Sequence, residues 1–102
     1  MDVWEFQKLY PDLSNFLGGC FPDADLEGLG DTEIAEGFAL FDSDARVRRL
    51  VLEQGELLLA LEPFPWETVG DLANHHFTGA EEAREWVRSV LLTVRRASGD
   101  RQ

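Results

Sequence analysis

Apolar residues recur at helical spacing in two long stretches of this chain, and that periodicity constrains the fold more than any other feature. Between Ser43 and Leu61, the residues Val47, Leu50, Val51, Leu58 and Leu61 recur at intervals of three, four and seven. At 3.6 residues per turn they line one helix face. Asp42 or Ser43 can cap the start, and Pro63 and Pro65 end the stretch. Arg49 and Glu53 fall on its outer face. Leu52, Leu57 and Leu59 widen the apolar surface past one stripe, so this is predicted to be the central helix. A second helix is predicted from Gly79 to Ala97, where Ala83, Trp86, Val87, Val90, Leu91 and Val94 make a continuous apolar face. Thr78 and Glu81 have the spacing of a capping box. Glu81, Glu82 and Glu85 come early and Arg95 and Arg96 late, as the helix dipole favours.

Shorter elements follow from local signals. Pro11 suits the first position of a helix running to Leu17 and ended by Gly18 and Gly19. Phe6, Leu9, Leu13, Phe16 and Leu17 would share one face, with a kink or break after Tyr10 forced by the proline. Asp31 can cap a helix from Thr32 to Phe41 that buries Ile34, Phe38 and Phe41. Pro65 can open a turn or two through Trp66, Val69 and Leu72. The segment Pro22 to Gly30 reads as a loop. No long alternating strand pattern is present. The prediction is all-α: one compact bundle of about five helices over residues 1–97, with a frayed tail at 98–102.

The chain has 102 residues, 44% of them hydrophobic and 11 of them aromatic, enough for one modest core without staples. The single Cys20 forms no internal disulfide, and its neighbours Phe16, Leu17 and Phe21 predict a buried, inert thiol. The opening residues carry no secretory signal, and no apolar run approaches the roughly 18 residues of a membrane span. A reducing cytoplasm is the simplest expected compartment.

Charge is the second constraint. The net charge is −11, which makes nucleic acid and anionic membranes poor partners and a basic protein a better one. From Met1 to Ala45 there are eleven acids and only Lys8 to oppose them, a balance of −10. From Arg46 onward eight arginines face nine acids, a balance of −1. A general need for solubility would spread the acids more evenly. The densest part is Asp23, Asp25, Glu27, Asp31, Glu33 and Glu36. These acids are either ordinary loop and helix-start charges or a surface for the Lys and Arg of a partner.

Residues for catalysis or cofactor binding are sparse. His75 and His76 are adjacent, so on a helix they would point about 100° apart and could not easily chelate together. They are expected in a turn before Thr78, with His76 beside Phe77. No nucleophile-elbow pattern surrounds any serine. Gly18-Gly19 and Gly28-Leu29-Gly30 lack phosphate-loop spacing and a following lysine. An EF-hand loop begun at Asp23 would put Gly28 sixth, but Ile34 would stand twelfth where a bidentate Glu is needed. The expectation is no enzyme, no metal and no cofactor.

One run carries a resemblance: Tyr10-Pro11-Asp12-Leu13-Ser14-Asn15-Phe16-Leu17-Gly18-Gly19-Cys20-Phe21, then the acidic loop, then Glu85-Trp86-Val87 in the last helix. This pattern resembles the small helical immunity proteins of bacterial contact-dependent growth inhibition systems. In that family the opening short helix ends in a glycine and an aromatic pair. An acidic loop, a Leu-rich central helix and a Trp in the last helix follow. The likeness spans roughly Leu9 to Val94. It departs at Cys20, where the family often has Tyr, and in the loop, which lacks the family's Trp.

The resemblance implies a stoichiometric inhibitor, monomeric when free, that binds the C-terminal toxin domain delivered by a neighbouring cell. Such domains are often nucleases and tend to be basic, which the acidic first half would suit. The expected contact residues are Asp23, Asp25, Glu27, Asp31, Glu33 and Glu36. Two other readings compete: a helical adaptor or oligomerisation module, and a small metal-binding or hydrolytic protein using His75, His76 and nearby acids.

Overall fold

The computed structural model describes residues 1–22, 28 and 30–99. Among them are six helices and no strand: α1 (Val3–Leu9), α2 (Pro11–Cys20), α3 (Asp31–Phe41), α4 (Ala45–Leu59), α5 (Trp66–Ala73) and α6 (Ala80–Ala97). The fold is all-α, with six helices where about five were expected. The break after Tyr10 is complete. Tyr10 leaves helical geometry (φ −133°, ψ 64°) and is at once the end of α1 and the residue before α2.

Helix ends are set by particular hydrogen bonds, several shifted from the expected residue. Asp44, not Asp42 or Ser43, caps α4, its carboxylate accepting from the Val47 N–H at 2.9 Å. Gly30 occupies the capping position of α3, and the Glu33 carboxylate accepts its N–H at 3.0 Å. Asp31, expected as the cap, is therefore the first residue inside the helix. At α6 the reciprocal carboxylate belongs to Glu82 instead of Glu81, because the helix begins at Ala80 and Glu82 is its third residue. Its Oε1 accepts from both the Thr78 N–H (2.6 Å) and the Thr78 hydroxyl (3.0 Å). α2 runs through Gly18 and Gly19 to Cys20, with Phe21 buried just beyond and tying its last turn to the core.

The core is contiguous. Phe6, Leu13, Phe16, Leu17, Val51, Leu58, Val69, Val87 and Val94 are fully buried, each stabilising the fold by roughly 1.5–3 kcal/mol before entropy is counted. α3 closes one side with Ile34, Ala35 and Phe38. Two apolar residues expected inside are outside. Phe41, in the last turn of α3, is 82% exposed although it keeps the spacing of the buried Ile34 and Phe38. Leu9 is 54% exposed, because the turn at Tyr10 sends that ring inward instead, edge-on to Phe6 at 5.2 Å. The radius of gyration, 12.6 Å, is that of a packed chain of this length.

Three contacts fix the helices against each other. Gln54 on α4 accepts the Asp12 and Leu13 N–H groups at 2.9 Å each, and its amide donates to the Asp12 carboxylate at 2.9 Å. At Gly55 a side chain would run into Leu91, so its absence allows α4 and α6 to cross closely. Arg84 on α6 donates to the Leu61 carbonyl at 3.0 Å and to Glu62 at 2.7 Å, with its guanidinium over the Phe64 ring. No helix of the described residues is long and apolar enough to cross a membrane.

Candidate functional site

The direction of the helices decides where the charges gather. α4 and α6 are antiparallel: Gly55 faces Leu91, Glu56 pairs with Arg95 at 3.2 Å, and the Leu61 carbonyl meets Arg84. α3 touches the second turn of α6 through Asp31, whose Oδ2 accepts the Trp86 indole N–H at 2.8 Å. Its far end meets the first turn of α4, where Arg48 donates to the Ala39 carbonyl at 3.0 Å and the Ser43 carbonyl at 2.8 Å. α3 and α6 therefore run parallel, with both N-termini at one end of the molecule.

That end is acidic. It holds Asp31 and Glu33 from the first turn of α3, and Glu81, Glu82 and Glu85 from the first two turns of α6. All but Asp31 are exposed. Two helix N-termini, each equivalent to roughly half a positive charge, stabilise carboxylates there. Glu82 shows the effect of local donors. The Thr78 backbone N–H, and then its hydroxyl, hold the Glu82 carboxyl below its ordinary value of 4.5.

Under these acids lies an aromatic cluster. Trp86, half-buried, meets Phe21 edge-on at 5.0 Å and Phe77 at 5.6 Å. His75 stacks on Phe77 with ring centres 4.5 Å apart. Its Nε2 is 3.9 Å from the Asp31 carboxylate, too far for a hydrogen bond, and its Nδ1 is buried with no hydrogen-bond partner among the described residues. His76, expected beside Phe77, is exposed, and His75 takes that place because the chain between Gly70 and Phe77 is held by a bond from the His75 N–H to the Gly70 carbonyl. Gly70 has no side chain to collide with the His75 carbonyl.

Of the six acids expected to meet a partner, Asp23, Asp25 and Glu27 lie outside the described residues. Asp31, Glu33 and Glu36 stand on α3, with Glu33 and Glu36 exposed and one turn apart. The remaining acids of the first half do not join them in one patch. Asp2 caps α1 through the Glu5 N–H, Asp12 is held by Gln54, and Asp44 caps α4 at the opposite end. Glu81, Glu82 and Glu85, read from sequence only as dipole partners, instead complete the acidic end. Trp86 carried the signal: an indole N–H on an otherwise apolar face needs an acceptor when it is partly buried.

This arrangement suits binding better than bond-making. Exposed carboxylates around a half-buried tryptophan accept hydrogen bonds from cationic donors and offer an aromatic anchor beside them. Burial first, and the negative charge of Asp42 second, push the Cys20 thiol above its ordinary value, away from the nucleophilic thiolate. Among the described residues no group of three or more His, Cys, Asp or Glu is placed to hold a metal ion. No protein-family model, no curated protein and no solved structure matches the chain.

Proposed function

We propose that the chain is an immunity protein, a stoichiometric inhibitor that binds and neutralises a basic toxin domain through its acidic end. The observation that carries this reading is the pairing of two helix N-termini, which brings Asp31 and Glu33 to the same end of the molecule as Glu81, Glu82 and Glu85, with the Trp86 indole bonded to Asp31. Glu36 extends the surface along α3. Complementary charge speeds encounter, with association reaching ~10⁸–10⁹ M⁻¹s⁻¹ at low salt, and steering of that kind serves an inhibitor that must catch its target before turnover. A contact of about 1,600 Å² would be ordinary for a tight one-to-one complex.

The resemblance to contact-dependent growth inhibition immunity proteins points to the same role. Its test is genetic and biochemical together. Co-expression of this chain with the product of the neighbouring reading frame is expected to restore growth that the neighbouring product alone suppresses, and the two are expected to co-purify one to one. Continued toxicity without a complex would remove the proposal.

A further inference from the structure

We propose that His75 is a proton-operated switch at the acidic end: on taking a proton, its ring draws the Asp31 carboxylate away from the Trp86 indole. Two donors converge on one oxygen. Asp31 Oδ2 accepts the Trp86 indole N–H at 2.8 Å and also faces His75 Nε2 at 3.9 Å. The second gap is about 1 Å too long for a hydrogen bond, so the resting carboxylate belongs to the indole. The His75 ring is held beside it from the other sides. It stacks on Phe77 with ring planes 11° apart, and its centre lies 5.3 Å from that of Trp86. Its backbone N–H donates to the Gly70 carbonyl at 2.9 Å. Nδ1 is buried with no hydrogen-bond partner among the described residues.

Protonation changes the balance of these contacts. A neutral imidazole can leave Nδ1 as a bare lone pair and turn its single N–H toward Asp31. The imidazolium has a donor at both nitrogens, and a buried N–H without an acceptor is unfavourable. The resting position therefore suits the neutral ring. The charged ring gains by closing on a carboxylate, where the bond is charge-assisted. Four acids face it. Asp31 comes from α3 and Glu82 from α6, where the charge of His75 reaches the Glu82 carboxylate. Glu67 and Asp71 of α5 line the cleft on the other side, together with His76, and no Lys or Arg lines it. Among the described residues, only Asp31 brings a carboxylate within 4 Å of a ring nitrogen, so Asp31 is the acid that responds. Both side chains reach solvent, His75 at 36% and Asp31 at 44% exposure, so protons have access. Histidine is the side chain that changes charge between about pH 5 and 8. Across that range the acidic end loses one uncompensated carboxylate and frees the indole N–H, whatever partner that end receives.

The test needs the purified chain alone, neither toxin nor growth. The indole N–H resonances of isotope-labelled protein are followed by NMR from about pH 8 down to about pH 5, with Trp86→Phe assigning the Trp86 signal among the three tryptophans. The Trp86 signal is expected to shift in a single step, while that of Trp4, exposed on α1, stays in place. The step is expected to vanish in His75→Gln and to persist in His76→Gln. It is also expected to vanish in Asp31→Asn, whose amide oxygen can still accept the indole N–H but carries no charge to draw the ring. A Trp86 signal that does not move, a step that survives His75→Gln, or one of full size in Asp31→Asn would each overturn the proposal. Circular dichroism checks that each variant is folded. Should His75→Gln fail to fold, the His75 ring C–H resonance of the wild type decides: its titration is expected to coincide with the Trp86 step, and two separate midpoints would overturn the switch.

Discussion

Gln54 supplies from α4 what a helix start usually takes from its own preceding residue. Its one carbonyl oxygen satisfies two N–H groups at the start of α2, and its amide holds the Asp12 carboxylate in place. Gln54→Ala leaves both donors part-buried and unpaired, a cost of about 1–3 kcal/mol. Thermal denaturation is expected to show a midpoint lower by several degrees, since about 1 kcal/mol shifts a domain of this size by ~4–8 °C. An unchanged midpoint would mean that water replaces the amide at no cost. This contact was not legible in the sequence, because the partners are 42 residues apart and nothing local marks Gln54 as a cap. The caps that were closest to legible are local ones. Asp44 was missed by one or two positions, since Asp42, Ser43 and Asp44 all offer a suitable oxygen and only backbone geometry chooses among them.

At the scale of elements, α6 shows how a helix start can be tied to pH. Its Glu82 carboxylate accepts two bonds from Thr78 and is held below its ordinary value. A carboxyl depressed in the folded state contributes stability above its unfolded value, and that contribution fades as pH falls through the folded value. Glu82→Gln is therefore expected to lower the melting midpoint at neutral pH and to match the wild type once the pH is well below 4.5. A difference that persists unchanged into acid would assign the effect to shape instead of charge. The two long helices were legible because their apolar residues recur over four to five turns, beyond what chance or a loop sustains. Their flanks were less so. Phe41 fits the α3 periodicity and is exposed all the same, because periodicity records which residues share a face and not what packs against each of them. Leu9 is displaced from the stripe by Tyr10, whose ring is buried against Phe6.

Across the whole molecule, acids stand where α3 and α6 begin, and at the other end of α6 arginines come from its last turn and from the start of α4. The sequence displayed an imbalance between its halves, yet the folded chain divides it differently. Asp2, Asp12 and Asp44 serve helix starts and a tertiary contact away from the acidic end, while Glu81, Glu82 and Glu85 arrive there from the second half. Counting along the chain could not reveal this, since the direction in which α6 packs on α3 is a property of the assembled core. The test of the acidic end leaves the capping carboxylates Glu33 and Glu82 in place, and of the acids it changes Glu85 is paired with Arg88. Glu36→Gln, Glu81→Gln and Glu85→Gln together remove three exposed carboxylates at or beside that end, and Glu5→Gln, Asp42→Asn and Glu53→Gln remove three elsewhere. The decisive measurement is the stopped-flow association rate of each protein with the basic toxin domain over a salt series. The first set is expected to associate about tenfold more slowly at low salt, with a flatter salt dependence, while the control set stays near wild type. Equal slowing by both sets, or none by the first, would contradict the claim that the acidic end receives the partner.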